Sequence, residues 1–296
     1  MKCYINGREF QFEKRIRDND LIRLSFMKLA RETFGLDFEP WYQGGYWGDD
    51  FIPYVLLDGD RVIANVSVNI IHTQWQNSKK CYIQLGTVMT DPAYQGMGLS
   101  RWLMNTVLNE WRAHCDCIYL FANDRVLDFY PKFGFMKAQQ YQHRLPMIKN
   151  DSVVRKLTMS CEQDKALLLK KYEESNPFSS LPMELNTGLL MFYCSQFMKE
   201  NLYYIEACDA VVILEYEDSD LLCYDIYGGS QHSMEEILSS VALENTKTVV
   251  FGFTPKQSVG YEVVPLVEDD TTLFILAEKE NLFAEHRIMF PLLSHA

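Results

Sequence analysis

Residues 88–100 read Val-Met-Thr-Asp-Pro-Ala-Tyr-Gln-Gly-Met-Gly-Leu-Ser, and what this stretch joins decides the fold. Upstream, residues 81–88 have the β-branched and aromatic content of a strand, which Asp91-Pro92 breaks. Downstream, Leu99, Leu103, Val107 and Trp111 recur every four residues as one helical stripe. The glycines therefore stand at a strand-to-helix turn. There the first backbone N–H groups of the helix have no intrahelical partner and lie at the positive end of its dipole, so they can bind an anion. Gly96 and Gly98 let the backbone approach closely, and a phosphate is the expected guest.

Working outward, residues 2–5 and 8–16 read as a hairpin, because Asn6-Gly7 supplies the positive φ values of a type I′ turn. Asn19 or Asp20 can cap a helix over 21–34, with Ile22, Phe26, Leu29 and Ala30 as its apolar stripe and Gly35 at its end. A loop dense in aromatics and glycine covers 39–50. A second hairpin, 51–57 and 61–75, turns at Asp58-Gly59-Asp60. After the central strand and helix, 117–121 should form a strand parallel to the central one. Asn123 follows, then a short helix over 126–133 ended by Gly134, and a last strand from 135 to about 145. The mostly polar stretch 146–152 gives a boundary, dividing the chain into domains 1–148 and 149–296.

The second half repeats the order: helices over 163–175 and 187–198, strands over 202–207, 210–216 and 221–227, a helix from 233, and strands over 248–253, 261–267 and 272–277. At the place matching the central turn stands Gly228-Gly-Ser-Gln-His-Ser-Met-Glu-Glu236, in which Ser233 and Glu236 form a capping box. Its own carboxylates occupy that helix start and would repel a pyrophosphate, so a degenerate copy of the first half is expected.

At 296 residues the chain can hold two cores. With 48% hydrophobic and 14% aromatic residues it is globular. No Cys-x-x-Cys pair occurs, so the eight cysteines read as reduced, buried small hydrophobes and no metal is expected. The N-terminus has no apolar signal core, and no run approaches the roughly 18 apolar residues of a membrane span. A cytoplasmic location with no membrane partner is the expectation. Residues 1–150 carry 18 Lys and Arg against 16 Asp and Glu, whereas 151–296 carry 10 against 24. Such an acidic second half disfavours nucleic acid, whose phosphates need Lys and Arg, and suits cationic amines or a basic partner.

A lone Gly-x-Gly turn is weak evidence, but its surroundings are specific. Gln95-Gly-Met-Gly-Leu-Ser100 resembles the Gln/Arg-x-x-Gly-x-Gly/Ala signature of the GNAT N-acetyltransferase superfamily, with Gln95, Gly98 and Ser100 at the three defining positions. Ser100 departs from the commoner Gly or Ala. Asn123 with Phe129-Tyr-Pro-Lys-Phe-Gly-Phe135 resembles a second block of the same family. The resemblance covers roughly residues 15–145 and implies an α/β fold of tandem GNAT-like domains, each a mixed central sheet flanked by helices.

It further implies an N-acetyltransferase using acetyl-CoA as co-substrate and a primary amine of a small molecule or peptide as acceptor. The backbone of Val88, Met89 and Thr90 would pair with the pantetheine arm, with the Met89 amide as an oxyanion donor. Amides from Gln95, Gly96, Met97, Gly98, Leu99 and Ser100 would hold the pyrophosphate, and Asn123 would border the cofactor. Tyr130 matches the family's general acid for the leaving thiolate. For the acceptor, Trp47 and Asp49 are singled out from the aromatic loop, with Glu39, Asp50 and His72 as further candidates for the base. The second domain would shape the acceptor site or an oligomer interface, which leaves room for a homodimer. Two other readings are an aminoacyl transferase of tandem GNAT type, against which the acidic second half counts, and a non-catalytic acyl-CoA-responsive binding module.

Overall fold

The computed structural model describes residues 1–147, 149–150 and 152–296, which build two mixed sheets flanked by helices. Strands β1 (Lys2–Ile5) and β2 (Arg8–Lys14) form the first hairpin, with Asn6 at φ 48° and Gly7 at φ 81° as a type I′ turn demands. In α1 (Asp20–Phe34) the Asn19 side chain accepts from the Ile22 amide, Gly35 ends the helix at φ 71°, and Phe26, Leu29 and Ala30 are buried. A short helix, α2 (Glu39–Gln43), occupies the aromatic loop. The long antiparallel run β3 (Phe51–Asp58), β4 (Arg61–Trp75) and β5 (Ser78–Thr90) leads into α3 (Leu99–Trp111), which buries Leu99, Leu103, Met104, Val107 and Leu108. Strand β6 (Cys117–Ala122) returns parallel to β5, as a strand–helix–strand crossover requires.

The expected helix over 126–133 is instead two short 3-10 turns, Asp124–Val126 and Tyr130–Phe133. Pro131, placed mid-segment, removes a helical donor and restricts the residue before it. Strand β7 (Phe135–Lys137) ends early, and β8 (Tyr141–Pro146) leaves for the other sheet. The second half holds β9 (Val154–Lys156), α4 (Glu162–Glu173), α5 (Thr187–Phe192), β10 (Leu202–Ile205), β11 (Ala210–Glu217), β12 (Asp220–Gly228), α6 (Met234–Val241), β13 (Thr248–Phe251), β14 (Glu262–Pro265) and β15 (Thr272–Leu276). Helix α5 is shorter than expected because the chain widens into a π turn over Tyr193–Phe197. Ser233 and Glu236 make the expected capping box on α6.

Strand order does not follow the two halves of the chain. The first sheet runs β1-β2-β3-β4-β5-β6-β15-β7 and the second β14-β8-β13-β12-β11-β10-β9. Strand β15, from the end of the chain, lies antiparallel between β6 and β7, pairing Phe274 with both Leu120 and Lys137. Strand β8, from the first half, lies antiparallel between β13 and β14, pairing Arg144 with both Val250 and Glu262. Each half thus completes the other's sheet at the same position. The expected boundary at 148/149 falls on Ile148, outside the described residues, and a cut there separates neither sheet cleanly. A core shared by both halves joins them, with the rings of Tyr119 and Phe290 stacked 4.0 Å apart between their centroids. All eight cysteines are unpaired, as expected.

The exchange has an energetic consequence. Leu273, Phe274, Ile275 and Leu276 of β15 are all buried. At about 1.5–3 kcal/mol per buried side chain, that strand contributes on the order of 6–12 kcal/mol, comparable with the whole stability of a domain. A fragment of residues 1–147 is therefore expected not to fold: its circular dichroism spectrum should show no cooperative thermal transition, whereas the full chain melts cooperatively.

Candidate active site

The site is built where β5 parts from β6. Residues Tyr82–Leu85 pair with Cys117–Leu120, and beyond Leu85 the two strands diverge. The cause lies on the opposite edge of β5. Ser67 pairs with Gly86 and Asn65 with Met89, so Thr87 and Val88 together oppose the single residue Val66. That is a β-bulge, and it puts Thr87 at φ 42°, a conformation unusual for a β-branched side chain. A buried network holds it there: Asn65 Nδ2 donates to the Thr87 carbonyl at 2.8 Å and to Ser67 Oγ at 2.9 Å, and Thr87 Oγ1 donates to Ser67 Oγ at 2.6 Å.

The divergence opens a groove of about 900 Å³ running to the start of α3. Val88, Met89, Thr90, Gln95, Gly96, Gly98, Leu99, Ser100, Asn123 and Tyr130 all line it. Met97, also expected here, does not; its carbonyl accepts from Asn6 Nδ2 at 2.8 Å, tying the turn to the first hairpin. Gly96 and Gly98 stand at φ 77° and 79°, and a Cβ on Gly98 would come within 3.1 Å of Asn6 Nδ2. Among the described residues no backbone amide from Gln95 to Arg101 donates to a protein partner, which leaves a row of N–H groups free at the helix start. The departure at Ser100 is used: its Oγ sits 2.6 Å from Thr90 Oγ1 and fastens the helix to the strand end. Asp91, buried and ion-paired with Arg61, shapes the turn by accepting from the Ala93 amide.

Sequence reasoning missed Asn6, Tyr94, Arg101, Arg125 and Asp270 on the groove's rim. Asp270, in the turn before β15, accepts from Asn123 Nδ2 at 2.9 Å and from the Asp124 amide at 2.7 Å. These donors hold its carboxyl below the usual carboxylate range. Strand exchange thus brings a second-half residue to the groove, something no local sequence signal announces.

Tyr130 is 5% exposed, its ring packed among Phe129, Phe135 and Phe274. Burial pushes its hydroxyl up to about 12, so it stays protonated at physiological pH.

The expected acceptor residues land differently. Trp47 is buried, its ring stacked on Trp41 at 5.6 Å and its Nε1 donating to the Phe51 carbonyl. Asp49 is exposed and ion-paired with Arg17 at 3.1 Å, away from the groove. Its neighbour Asp50 lines a small cavity of about 50 Å³ with Asn69, Thr87 and aromatic side chains. Thr87 borders this cavity and its neighbour Val88 borders the groove, so both openings adjoin the bulge. Burial raises the Asp50 carboxyl, against the opposing influence of His72.

Residues 21–135 match the family model of the acetyltransferase (GNAT) family. No curated protein matches the chain. Among solved structures, a conserved protein from Enterococcus faecalis V583 described as a probable N-acyltransferase is 13% identical at TM-score 0.60, covering 90% of this chain and 73% of that one. A GCN5-related N-acetyltransferase from Kribbella flavida is 16% identical at TM-score 0.55, covering 90% and 71%. Eis1 from Mycobacterium abscessus is 12% identical at TM-score 0.53, covering 89% and 73%. The likeness extends over both sheets and establishes the fold: tandem GNAT-like domains.

The bulge network yields a stability prediction. Asn65→Ala removes the donor that bridges Ser67 and Thr87, and at about 1 kcal/mol per net hydrogen bond it should cost about 2–3 kcal/mol in urea unfolding. A loss under about 0.5 kcal/mol would contradict this role.

Proposed function

We propose that the first domain is an acyl-CoA-dependent N-acyltransferase that moves an acetyl group from acetyl-CoA to a primary amine of a small molecule or peptide. One observation carries the reading: a strand edge opened by a bulge runs directly into a glycine-lined helix start with unpartnered amides, with a buried tyrosine on the facing wall. Unpaired strand amides suit an amide-bearing arm laid beside them as an extra strand. The amides from Gln95 to Ser100 suit a pyrophosphate, and Arg101 and Arg125 on the rim add positive charge toward it. Asn123, fixed by Asp270, would border the cofactor.

When bound, the thioester supplies a carbonyl open to attack and a thiolate leaving group. The protein must do the rest. An ammonium with a pKa near 10.4 is about one part in a thousand neutral at roughly pH 7.4, a cost of about 4 kcal/mol. A carboxylate beside the bulge orients the ammonium and relays its proton to solvent. The amine nitrogen then bonds to the carbonyl carbon, the carbon–sulfur bond breaks, and the sulfur takes one proton; the net products are amide, free thiol and one released proton. The Met89 amide is the proposed donor to the carbonyl oxygen.

Tyr130 faces the sulfur as hydrogen-bond donor. With its hydroxyl near 12 and a thiol near 8.5, complete proton transfer is uphill by about 3.5 units, or about 5 kcal/mol. The side chain therefore stabilises the thiolate chiefly by donating a hydrogen bond as charge develops. The chain has no helix among its described residues long and apolar enough to cross a membrane, which is compatible with a freely diffusing acceptor.

Incubation with acetyl-CoA and an amine panel should release free thiol, and calorimetry should show acetyl-CoA binding; neither thiol release nor binding would sink the proposal. Tyr130→Phe should lower kcat about 100-fold or more while leaving the Kd for acetyl-CoA within about twofold. Because Tyr130 stays protonated, the wild-type rate should show no falling limb from it up to about pH 10. Gly98→Ala, strained by about 1–2 kcal/mol at φ 79°, should weaken acetyl-CoA binding about 5–30-fold.

A further inference from the structure

The small cavity behind the bulge has its own chemistry. Phe38, Trp41, Phe51 and Phe192 supply aromatic walls, and the backbone of Ala296 closes one side against Gly86. Its polar groups are not equivalent. Asn186 is committed, accepting from the Leu189 amide and donating to the Ile70 carbonyl. Thr87 is committed to the bulge. Two groups are not. Asn69 is 4% exposed, and its Nδ2 has no partner among the described residues. The Asp50 carboxylate likewise has neither hydrogen-bond nor ion-pair partner among them; only its backbone carbonyl is engaged, by the Ile70 amide.

A buried donor and a half-buried anion left unpaired in an apolar setting are costly unless a ligand satisfies them. The ligand that does so carries one cation for Asp50, one accepting oxygen for Asn69, and an apolar body for the aromatic walls. Asp50 is the one acidic side chain that lines the cavity, and a polyamine offers neither an oxygen for Asn69 nor an apolar body for the aromatic walls. A volume of about 50 Å³ holds roughly four water-sized groups, enough for a short chain or the end of a ring.

Resting on the acyltransferase reading, we propose that this cavity seats the acceptor and that the acceptor is a primary amine on a short apolar chain or ring bearing one hydrogen-bond-accepting oxygen. Its nitrogen lies against Asp50, beside Thr87, whose neighbour Val88 borders the groove. Asp50 pairs with the ammonium and relays the proton it loses to solvent before the nitrogen attacks, and Asn69 selects for the oxygen.

The test compares three probes with acetyl-CoA: 2-phenylethylamine, 2-amino-1-phenylethanol and spermidine. The hydroxylated monoamine should exceed spermidine in kcat/KM by at least tenfold and also exceed 2-phenylethylamine. Asp50→Asn, nearly isosteric, should lower its kcat/KM at least 30-fold while the Kd for acetyl-CoA stays within twofold. Asn69→Leu should abolish the preference for the hydroxylated over the plain monoamine. Thiol release that favours spermidine, or that is indifferent to Asp50→Asn, overturns the acceptor assignment and leaves the acyltransferase reading standing. Calorimetric binding of 2-amino-1-phenylethanol to the CoA-loaded protein, lost in Asp50→Asn but accompanied by no thiol release from any amine, supports the cavity's ligand class and overturns the transfer reading instead.

Discussion

The Asn65 side chain, bonded at once to Ser67 and to the Thr87 carbonyl, is the contact on which the site depends. It secures a β-branched residue in a left-handed conformation, which costs on the order of 1–2 kcal/mol, with hydrogen bonds of about 1 kcal/mol each. A regular strand in this place would continue its parallel pairing with β6, and the groove would be closed by backbone hydrogen bonds. The bulge also brings Gly86 against the backbone of Ala296, where a Cβ would lie 2.4 Å from its oxygen. One local irregularity therefore adjoins two openings, the cavity at Thr87 and the long groove at Val88.

The second constraint is reciprocal strand exchange. Because β15 sits between β6 and β7, the turn leading into it delivers Asp270 to the rim, where it fixes Asn123. The second half is thus part of the groove's frame, not an appendage. Residues from both halves also line the small cavity: Phe51 and Asn69 come from the first, Gly188 and Phe192 from the second. The acidic balance of the second half belongs to a partner in the site's construction, which agrees with an acceptor that arrives as a cation.

Local features were legible in the sequence because their causes are local. Asn6-Gly7, the Asn19 cap, the 99–111 stripe and the Ser233–Glu236 box each act through residues within a few positions of one another. Ten of the eleven expected groove residues line it, eight of them for the same reason, since strand, turn and helix start are contiguous. What stayed hidden depends on distant partners. The alternation within 141–146 and 272–276 marks strands but not which sheet receives them. Asp49 and Asp50 are adjacent yet diverge, one to Arg17 at the surface and one to the cavity, and only the packing of Trp47 against Trp41 and Phe51 decides which goes where. Asn65, Ser67 and Thr87 carry no motif at all.

The second sheet makes the reverse case. Its parallel pair, β12 and β13, also parts after four residues, at Cys223 and Phe251. There the space is taken by the chain itself: Asn176 donates to the buried Asp225 of β12, while the Ser180 amide donates to the Thr254 carbonyl and the Lys256 amide to the Phe178 carbonyl just past β13. Residues 176–181 thus bridge the two diverging strands. At the nearby helix start, Glu236 accepts from the Ser233 amide at 2.9 Å, so a carboxylate already occupies the position an anion would need. The same topology that holds a groove open in the first half is plugged at the strand gap and blocked at the helix start in the second. The first sheet keeps such a groove open, and the second half's contribution to it is structural, through β15 and Asp270.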